Sequence, residues 1–511
     1  MARVVTRVVV DAGRAADWLE PRDDLVAERA SVPRSTGGDG SATATFEAAE
    51  GPVESYRRTV AVEPLGDHTA AVTSTTEFAL AIPYFGWLFL APTRAALRRV
   101  PGQLGRQPWW APPGRLDARA AGVLGVLGAA SVIVGYLGTL ITQTITYAAT
   151  EFDVTDDRSQ GLALASVRLG VLLALALVAV ADRRGRRRAL VASIVGGCVA
   201  AALGALAPSL AGLSATQVVG RAFSTAAAIL IGIVAVEEMP RESRAYAVSI
   251  LGMAAALGVG FCVMALPLAG LGPGGWRLVY VIALVGLPLA ADLARRLPET
   301  RRFRADHPTV GMGSYGRRLA LLAASALLLS LFTAPASQFL NEFLRQERSF
   351  SPARISLFTI LTNTPGGIGI IVGGRLADVR GRRVVGAVGL AGGVGATVVM
   401  YLSGGWSLWA WSVVGAVVGA ATVPALGVYG PELFPTSLRG RANGLIALLG
   451  VVGSSAGLVA AGVLSDRLGG LGPALAVLAV GPAVLVAVVL AVYPETAHRA
   501  LEELNPEDRP L

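Results

Sequence analysis

From Arg119 to Tyr493 the chain is a succession of apolar stretches, each parted from the next by a short loop. A helix needs about 20 residues to cross the hydrocarbon core of a bilayer. Twelve stretches are long enough, near 119–149, 160–180, 188–208, 213–236, 245–269, 275–296, 318–341, 353–374, 384–402, 405–430, 441–464 and 471–493. Helices satisfy their own backbone polar groups where lipid cannot, so the expectation is an all-α membrane protein with 12 transmembrane helices. Composition agrees: of 511 residues 53% are hydrophobic and 15% charged, and the mean hydropathy is +0.58.

The loops repeat. Asp182-Arg183-Arg184-Gly185-Arg186-Arg187-Arg188 follows the second apolar run, and Asp378-Val379-Arg380-Gly381-Arg382-Arg383 follows the eighth, 196 residues on. Glu237, Pro240 and Arg244 return as Glu432, Pro435 and Arg439, each at 195. Pro298-Glu299-Thr300 returns as Pro494-Glu495-Thr496 at 196. Three pairs of charged marks in one order and at one offset point to two six-helix repeats in parallel orientation. The first repeat is bounded at 119–298, a central loop covers 299–317, the second repeat runs over 318–496 and a tail over 497–511.

All the basic residues are arginines, and the net charge is +9. They sit mainly in short loops, where they orient a protein in the bilayer rather than seek a nucleic acid. Loops after the even-numbered spans carry 20 arginines against 6 on the other side, which places the first set, and both termini, in the cytoplasm of a cell (plasma) membrane. The acidic loop Glu151-Phe152-Asp153-Val154-Thr155-Asp156-Asp157 falls on the opposite side. Cys198 and Cys262 lie inside apolar runs without metal-ligand spacing, so neither a disulfide framework nor a metal site is indicated. No cofactor is called for, and a monomer is expected.

Residues 1–100 read differently. Val8-Val9-Val10 suggests a strand and Ala15 to Val26 a short helical segment. Alternating stretches follow at Ala42 to Phe46, Val53 to Val62 and Thr69 to Leu80, and then an amphipathic helix from Trp87 to Arg99. This is a small α+β soluble domain. Its element order resembles the START-like helix-grip fold, which implies an apolar cavity and a sensing role; the plainer reading is an accessory domain with an ordinary core. Residues 101–118 form a Pro/Gly linker in which Trp109 and Trp110 suit a headgroup-level anchor.

Twelve spans in two sixes, with Gly-x-Leu-Ala-Asp-x-x-Gly-Arg-Arg between the eighth and ninth and a close variant between the second and third, resemble the major facilitator superfamily of secondary transporters. Pro431-Glu432-Leu433-Phe434-Pro435-Thr436-Ser437-Leu438-Arg439-Gly440 and the Pro-Glu-Thr marks resemble its sugar-porter and metabolite-transporter branch. The resemblance implies that Asp182, Arg183, Gly185, Arg186, Glu237, Pro240 and Arg244, with Asp378, Gly381, Arg382, Glu432, Pro435 and Arg439, form an inner latch between the two bundles. It also implies that this latch holds the outward-open state. In the first copy the motif's leading glycine and its leucine are Val178 and Val180, which predicts looser helix packing there.

Within the spans, Arg168 and Arg221 are the two buried arginines, and a buried arginine is costly enough to be a functional candidate by default. Arg221 matches the fourth-span arginine that the superfamily shares. Each is expected about eight residues from the outer end of its span. No Asp, Glu or His falls in the middle of any span. Polar stripes that would line a substrate cavity comprise Tyr136, Thr139, Gln143 and Thr146 in the first span, Ser330, Thr333, Ser337, Gln338 and Asn341 in the seventh, and Thr359, Thr362 and Asn363 in the eighth. No nucleophile, base and orienting group converge, so no catalytic residue is assigned and an enzyme is not expected. The expected function is a transporter for a small polar metabolite, sugar-like or an organic anion, working by alternating access against membrane lipid, with protons as a candidate coupling ion. Drug or metabolite efflux, and a transport-inactive sensor gated by residues 1–100, are the alternatives.

Overall fold

A computed structural model describes the chain apart from residues 38–39, 67, 102–106, 109, 155–162, 165, 302, 304–309 and 509–511. Trp109 and residues Thr155, Asp156 and Asp157 of the acidic loop therefore lie outside the described residues. Two compact units divide it, Met1–Val126 and Leu127–Leu511.

The first unit is a five-stranded antiparallel sheet in the order β1-β5-β4-β3-β2. The strands are β1 (Ala2–Asp11), β2 (Ala27–Thr36), β3 (Ala42–Glu50), β4 (Val53–Pro64) and β5 (Thr69–Leu80). A short helix, α1 (Ala12–Ala15), and a 3-10 turn, Ala16–Leu19, follow β1, and α2 (Gly86–Leu97) follows β5. Alternation puts one face inward: Val60, Val62, Val72 and Phe78 are buried with Trp18 and Phe46. The segment expected as a helix from Ala15 to Val26 is helical only as far as Leu19, and β2 was not anticipated. This edge strand is almost wholly exposed, contains Pro33, and holds its place by a bulged ladder to β3. It therefore carries no apolar alternation to read.

Charged residues share the buried face. Arg58 on β4 bonds both carboxylate oxygens of Glu28, and Tyr56 donates to Glu28 Oε1 at 2.6 Å. Arg22 forks onto Asp24 and donates to the carbonyls of Ala96 and Leu97 at the end of α2. Burial opposes the charge of Arg22, but the hydrogen bond and field of Asp24 outweigh it and hold its pKa above the ordinary value. Burial, reinforced by Glu28, pushes the Tyr56 phenol well above 10.0. Where the helix-grip resemblance implies an apolar cavity, these ion pairs tie the sheet to the last helix. Trp110, expected at the headgroups, instead packs on Phe89 and beside the Leu25, Ala96 and Ala111 cluster. Arg115 bonds Asp23 and the carbonyl of Asp24.

The second unit is helical. Its elements are α3 (Ala118–Glu151), which begins in the first unit, α4 (Gly170–Arg184), α5 (Arg186–Gly204), α6 (Leu210–Glu238), α7 (Arg244–Ala265) and α8 (Trp276–Arg296). They continue with α9 (Gly316–Gln338), α10 (Leu357–Arg380), α11 (Arg382–Leu402), α12 (Gly405–Glu432), α13 (Arg439–Leu468) and α14 (Leu471–Ala491). Among the described residues, 11 helices are long and apolar enough to cross a membrane. The remaining expected span, 160–180, shows the shorter helix α4, of 15 residues. Pro365 interrupts α10 after Asn363.

Close helix crossings recur at the repeat offset. A Cβ added to Gly258 of α7 would lie 1.9 Å from the Val132 carbonyl oxygen of α3. One added to Gly453 of α13 would lie 2.3 Å from the Leu327 carbonyl oxygen of α9. Backbones this close exclude any larger residue. Each six-helix set is also braced at the end away from the arginines. Glu151 accepts from the Trp276 indole and from Arg277 at the start of α8. Glu347, 196 residues on, accepts from the backbone of Leu471 at the start of α14 at 2.8 Å.

Candidate functional site

The arginine-rich loops gather at one end of the bundle, and their geometry starts from a glycine. Gly185 and Gly381 have φ of +102° and +101°, in the left-handed region. Each turns the chain sharply from one helix into the next, α4 into α5 and α10 into α11. A Cβ at either would strike Glu299 or Glu495, at 2.5 and 2.7 Å. Those two carboxylates, from the Pro-Glu-Thr marks, cap the helices that the turns begin. Glu299 Oε1 accepts from the backbone of Arg186 and Arg187 at 2.8 and 3.3 Å. Glu495 accepts from Arg382 and Arg383 at 3.0 and 3.2 Å. An acidic side chain at a helix N-terminus satisfies unpaired N–H groups and meets the positive end of the helix dipole.

Asp182 and Asp378 reach across to the other half. Asp182 accepts from the backbone N–H of Gly440 and Arg441, both at 3.0 Å, at the start of α13. Asp378 accepts from Ala245 and Tyr246, at 3.1 and 2.8 Å, at the start of α7. Pro240 and Pro435 open the turns that lead into these two helices, their carbonyls accepting from Ser243 and from Leu438 and Arg439.

Two chains of buried charge follow. Arg186 pairs with Asp182 at 2.7 Å and lies 3.6 Å from Glu237, which also takes Arg439. Arg382 pairs with Asp378 at 3.2 Å and with Glu432, which also takes Arg244 at 3.0 Å. The glutamate of each half thus holds the arginine of the other: Glu237 with Arg439, Glu432 with Arg244. All eight side chains are nearly inaccessible, so each charge depends on its partners.

One chain is longer. Arg439 also bonds Asp508 of the C-terminal tail at 2.9 Å, and Asp508 accepts from the Thr436 backbone. The tail's Asn505 donates to the Glu432 carbonyl, and its Leu501 is buried among Val236, Ala245, Ala377, Ala425 and Val428, residues of both halves. Arg244 ends on the Arg499 carbonyl at 3.2 Å. Asp508 has no counterpart in the first half, so no repeat marks it in the sequence. The repeat marks Glu299 and Glu495 but not their capping role, and the constant offset of 196 also marks the Glu151/Glu347 pair.

The loose packing expected at Val178 is absent. Val178 is fully buried, because the small residue has moved to the facing helix: a Cβ on Gly440 would lie 2.7 Å from Val178. In the second copy Gly374 occupies the Val178 position, and Ala245 the Gly440 position. A Cβ on Gly374 would lie 2.8 Å from the Ala245 carbonyl. The combined volume across the seam is kept by exchanging which side is small. Arg183, placed in the latch by the sequence, is exposed and has no ion-pair partner among the described residues.

Arg221 lies eleven residues into α6, deeper than expected, because α6 begins at Leu210. Arg168 falls in a turn just before α4 rather than inside a long second helix. Its Nη1 reaches the hydroxyls of Ser454 and Ser455 on α13, both at 3.4 Å. The predicted cavity residues separate. Tyr136 is buried, its hydroxyl donating to the Val279 carbonyl at 2.6 Å. Thr139, Gln143 and Thr359 are half-buried, while Ser337, Gln338, Asn341 and Asn363 are exposed. A cavity of about 460 Å³ lies inside the second half, lined by Thr333 of the seventh-span stripe with Thr422, Asn443, Tyr493 and several glycines.

The sequence profile described as Major Facilitator Superfamily matches residues 127–340 and 320–510. The chain belongs to that superfamily. No curated protein matches it by sequence. Among solved superfamily structures, the proton:xylose symporter XylE aligns at TM-score 0.65 with 16% identity, over 76% of this chain and 99% of that one. FucP, solved in the outward conformation, aligns at 0.61 with 12% identity, over 73% and 98%. The human organic anion transporter TETRAN aligns at 0.58 with 15% identity, over 72% and 98%. At these identities the likeness is one of fold. The protein is a multi-pass superfamily transporter whose α3 to α14 follow a β-sheet unit.

Proposed function

We propose that this transporter moves a small polar metabolite, sugar-like or an organic anion, by rocking residues 119–298 against 318–496 about a central site. The observation that carries the reading is the reciprocal exchange of partners across the arginine-rich end, Glu237 with Arg439 and Glu432 with Arg244. Charges that merely oriented loops would have no reason to bury themselves on the opposite half. This arrangement is a latch, closed on the cytoplasmic side, where both termini lie in a plasma-membrane protein of twelve spans. Opening inward breaks every cross-seam pair at once, and ligand binding shifts the balance between the two states. The likeness to a proton:xylose symporter and to outward FucP supports this mechanism, with protons as a candidate coupling ion. The sheet unit is a cytoplasmic accessory domain; its charged core speaks against an apolar-ligand sensor.

Proteoliposomes preloaded with a metabolite panel should show counterflow for at least one solute. Asp378→Asn removes the charge that holds the start of α7, and should move labelling of single cysteines toward the inward-open pattern. Absence of counterflow for every solute, with an unaltered labelling pattern, would refute transport by this gate.

A further inference from the structure

Every buried charged residue of the latch recurs at the repeat offset except the tail's Asp508. Arg168 and Arg221 do not recur: Thr364 and Ala416 stand at the corresponding positions. They are therefore not part of the machinery that the two halves share.

Among the described residues neither has an ion-pair partner. Among the described residues, no hydrogen bond or ion pair engages the Arg221 guanidinium. The turn that carries Arg168 packs directly on α6: a Cβ at Gly170, two residues on, would lie 2.9 Å from Arg221 Cβ, and the charge brought near Arg221 is thus one of like sign. Arg221 Nη1 would be 3.7 Å from a Cβ at Gly138 of α3, so the missing side chain there leaves room beside the guanidinium. Arg168 leans across the seam, but its bonds to Ser454 and Ser455 are long, at 3.4 Å. Counting along α6, Arg221 is 16 residues from Glu237, about 24 Å at the rise of an α-helix. The pair therefore lies well away from the closed end.

Two guanidinium groups near each other at membrane depth, with no carboxylate on either among the described residues, cost more than a lone one. The missing charge is most simply supplied by a solute. We infer that Arg168 and Arg221, with the hydroxyls of Ser454 and Ser455, form the binding site for an oxyanion group, carboxylate or phosphate, of the transported metabolite. This inference rests on the transport reading and narrows it to anions. The first half provides both charges and the second half the hydroxyls, so one oxyanion touches both bodies. Guanidinium forks match such groups in two parallel hydrogen bonds, and an oxyanion would replace the long contacts of Arg168 to the serines with shorter ones.

The test uses the full chain in proteoliposomes with a single added cysteine, Ser455→Cys. The parent's Cys198 and Cys262 are buried and serve as the unlabelled control. Ser455→Cys is reacted with a sulfonate-bearing and with a trimethylammonium-bearing methanethiosulfonate. Fields in charged clefts raise local ion concentrations by about 10- to 1,000-fold, so the sulfonate reagent should label at least about tenfold faster. Added Arg168→Gln or Arg221→Gln should bring the ratio close to one, while Arg221→Lys should retain a sulfonate preference. At fixed ionic strength, succinate or inorganic phosphate should slow labelling, and glucose should not. Equal rates for the two reagents, a ratio indifferent to both arginines, or protection by glucose alone would overturn the assignment. The charge preference decides, and protection only ranks the anions. Failure of the transport reading is separate, and would appear as no counterflow by any solute whatever the reagent preference.

Discussion

Gly440→Ala is the sharpest probe of the seam. The added methyl would lie 2.6 and 2.8 Å from the two oxygens of Asp182 and 2.7 Å from Val178, so it must push α4 and α13 apart. Overpacking of this kind costs about 1–3 kcal/mol. The cost falls only on the state in which the seam is closed, since opening inward separates these helices. The equilibrium between closed and open should therefore shift inward by roughly 5- to 150-fold. Relief follows from the second copy, where Gly374 faces Ala245 and the neighbouring aspartate still bonds the start of α7. Adding Val178→Gly to Gly440→Ala reproduces that arrangement and should restore most of the closed population. Alkylation rates of one cysteine on each face, compared for the two single variants and the double variant, give the coupling. If Gly440→Ala leaves both rates unchanged, or if Val178→Gly adds its own damage without relief, complementary packing across the seam is not what holds the gate.

Other outcomes are expected. Gly381→Ala forces a side chain into the left-handed turn and onto Glu495; a thermal-unfolding shift equivalent to a loss of about 1–3 kcal/mol is expected, with a comparable loss at Gly185→Ala. Asp508→Asn weakens the anchor of the tail, whose Leu501 packs on residues of both halves, so inward opening should speed up severalfold in the labelling assay while the protein remains folded. Glu28→Gln strands Arg58 within the sheet unit and should cost about 3–5 kcal/mol, read as early proteolysis of residues 1–100. Tyr56 has its pKa raised in the folded state, so its contribution is present below the ordinary value of 10.0 and is lost as pH rises past it. Stability of the wild type should thus fall above that pH more steeply than that of Tyr56→Phe.

Much of the architecture was legible because lipid imposes so strict a rule. Apolar length located nearly every helix, and the spacing of Asp182 to Asp378 and of Glu237 to Glu432 located the charges that pair across the two halves. Partner choice was not legible: nothing in the sequence says that Glu237 bonds Arg439 rather than its near neighbour Arg244, since that follows from how the halves face each other. Val178 misled because a motif describes one helix, whereas packing belongs to two. The β2 strand escaped because its order comes from hydrogen bonds to β3 rather than from burial. The predicted polar stripes were true to helical periodicity, but periodicity places residues on a face without saying what that face meets. Arg168 and Arg221 stood out for the opposite reason, as charges where the surrounding sequence has none.

The carboxylate braces have a mechanical meaning. Glu151 and Glu347 tie the first helix of each set to the sixth at one end, and Glu299 and Glu495 tie the third helix to the segment after the sixth at the other. A body fastened at both ends turns as a lever. With an arm of about 30 Å, the length of a 20-residue helix, a turn of about 10° displaces the far end by about 5 Å. That exceeds the reach of any hydrogen bond at the seam, so the contacts there cannot be released one after another. On the transport reading proposed above, the gate is then a switch with two positions, and its stiffness is set at both ends of each half by four glutamates whose described hydrogen-bond partners lie in their own half.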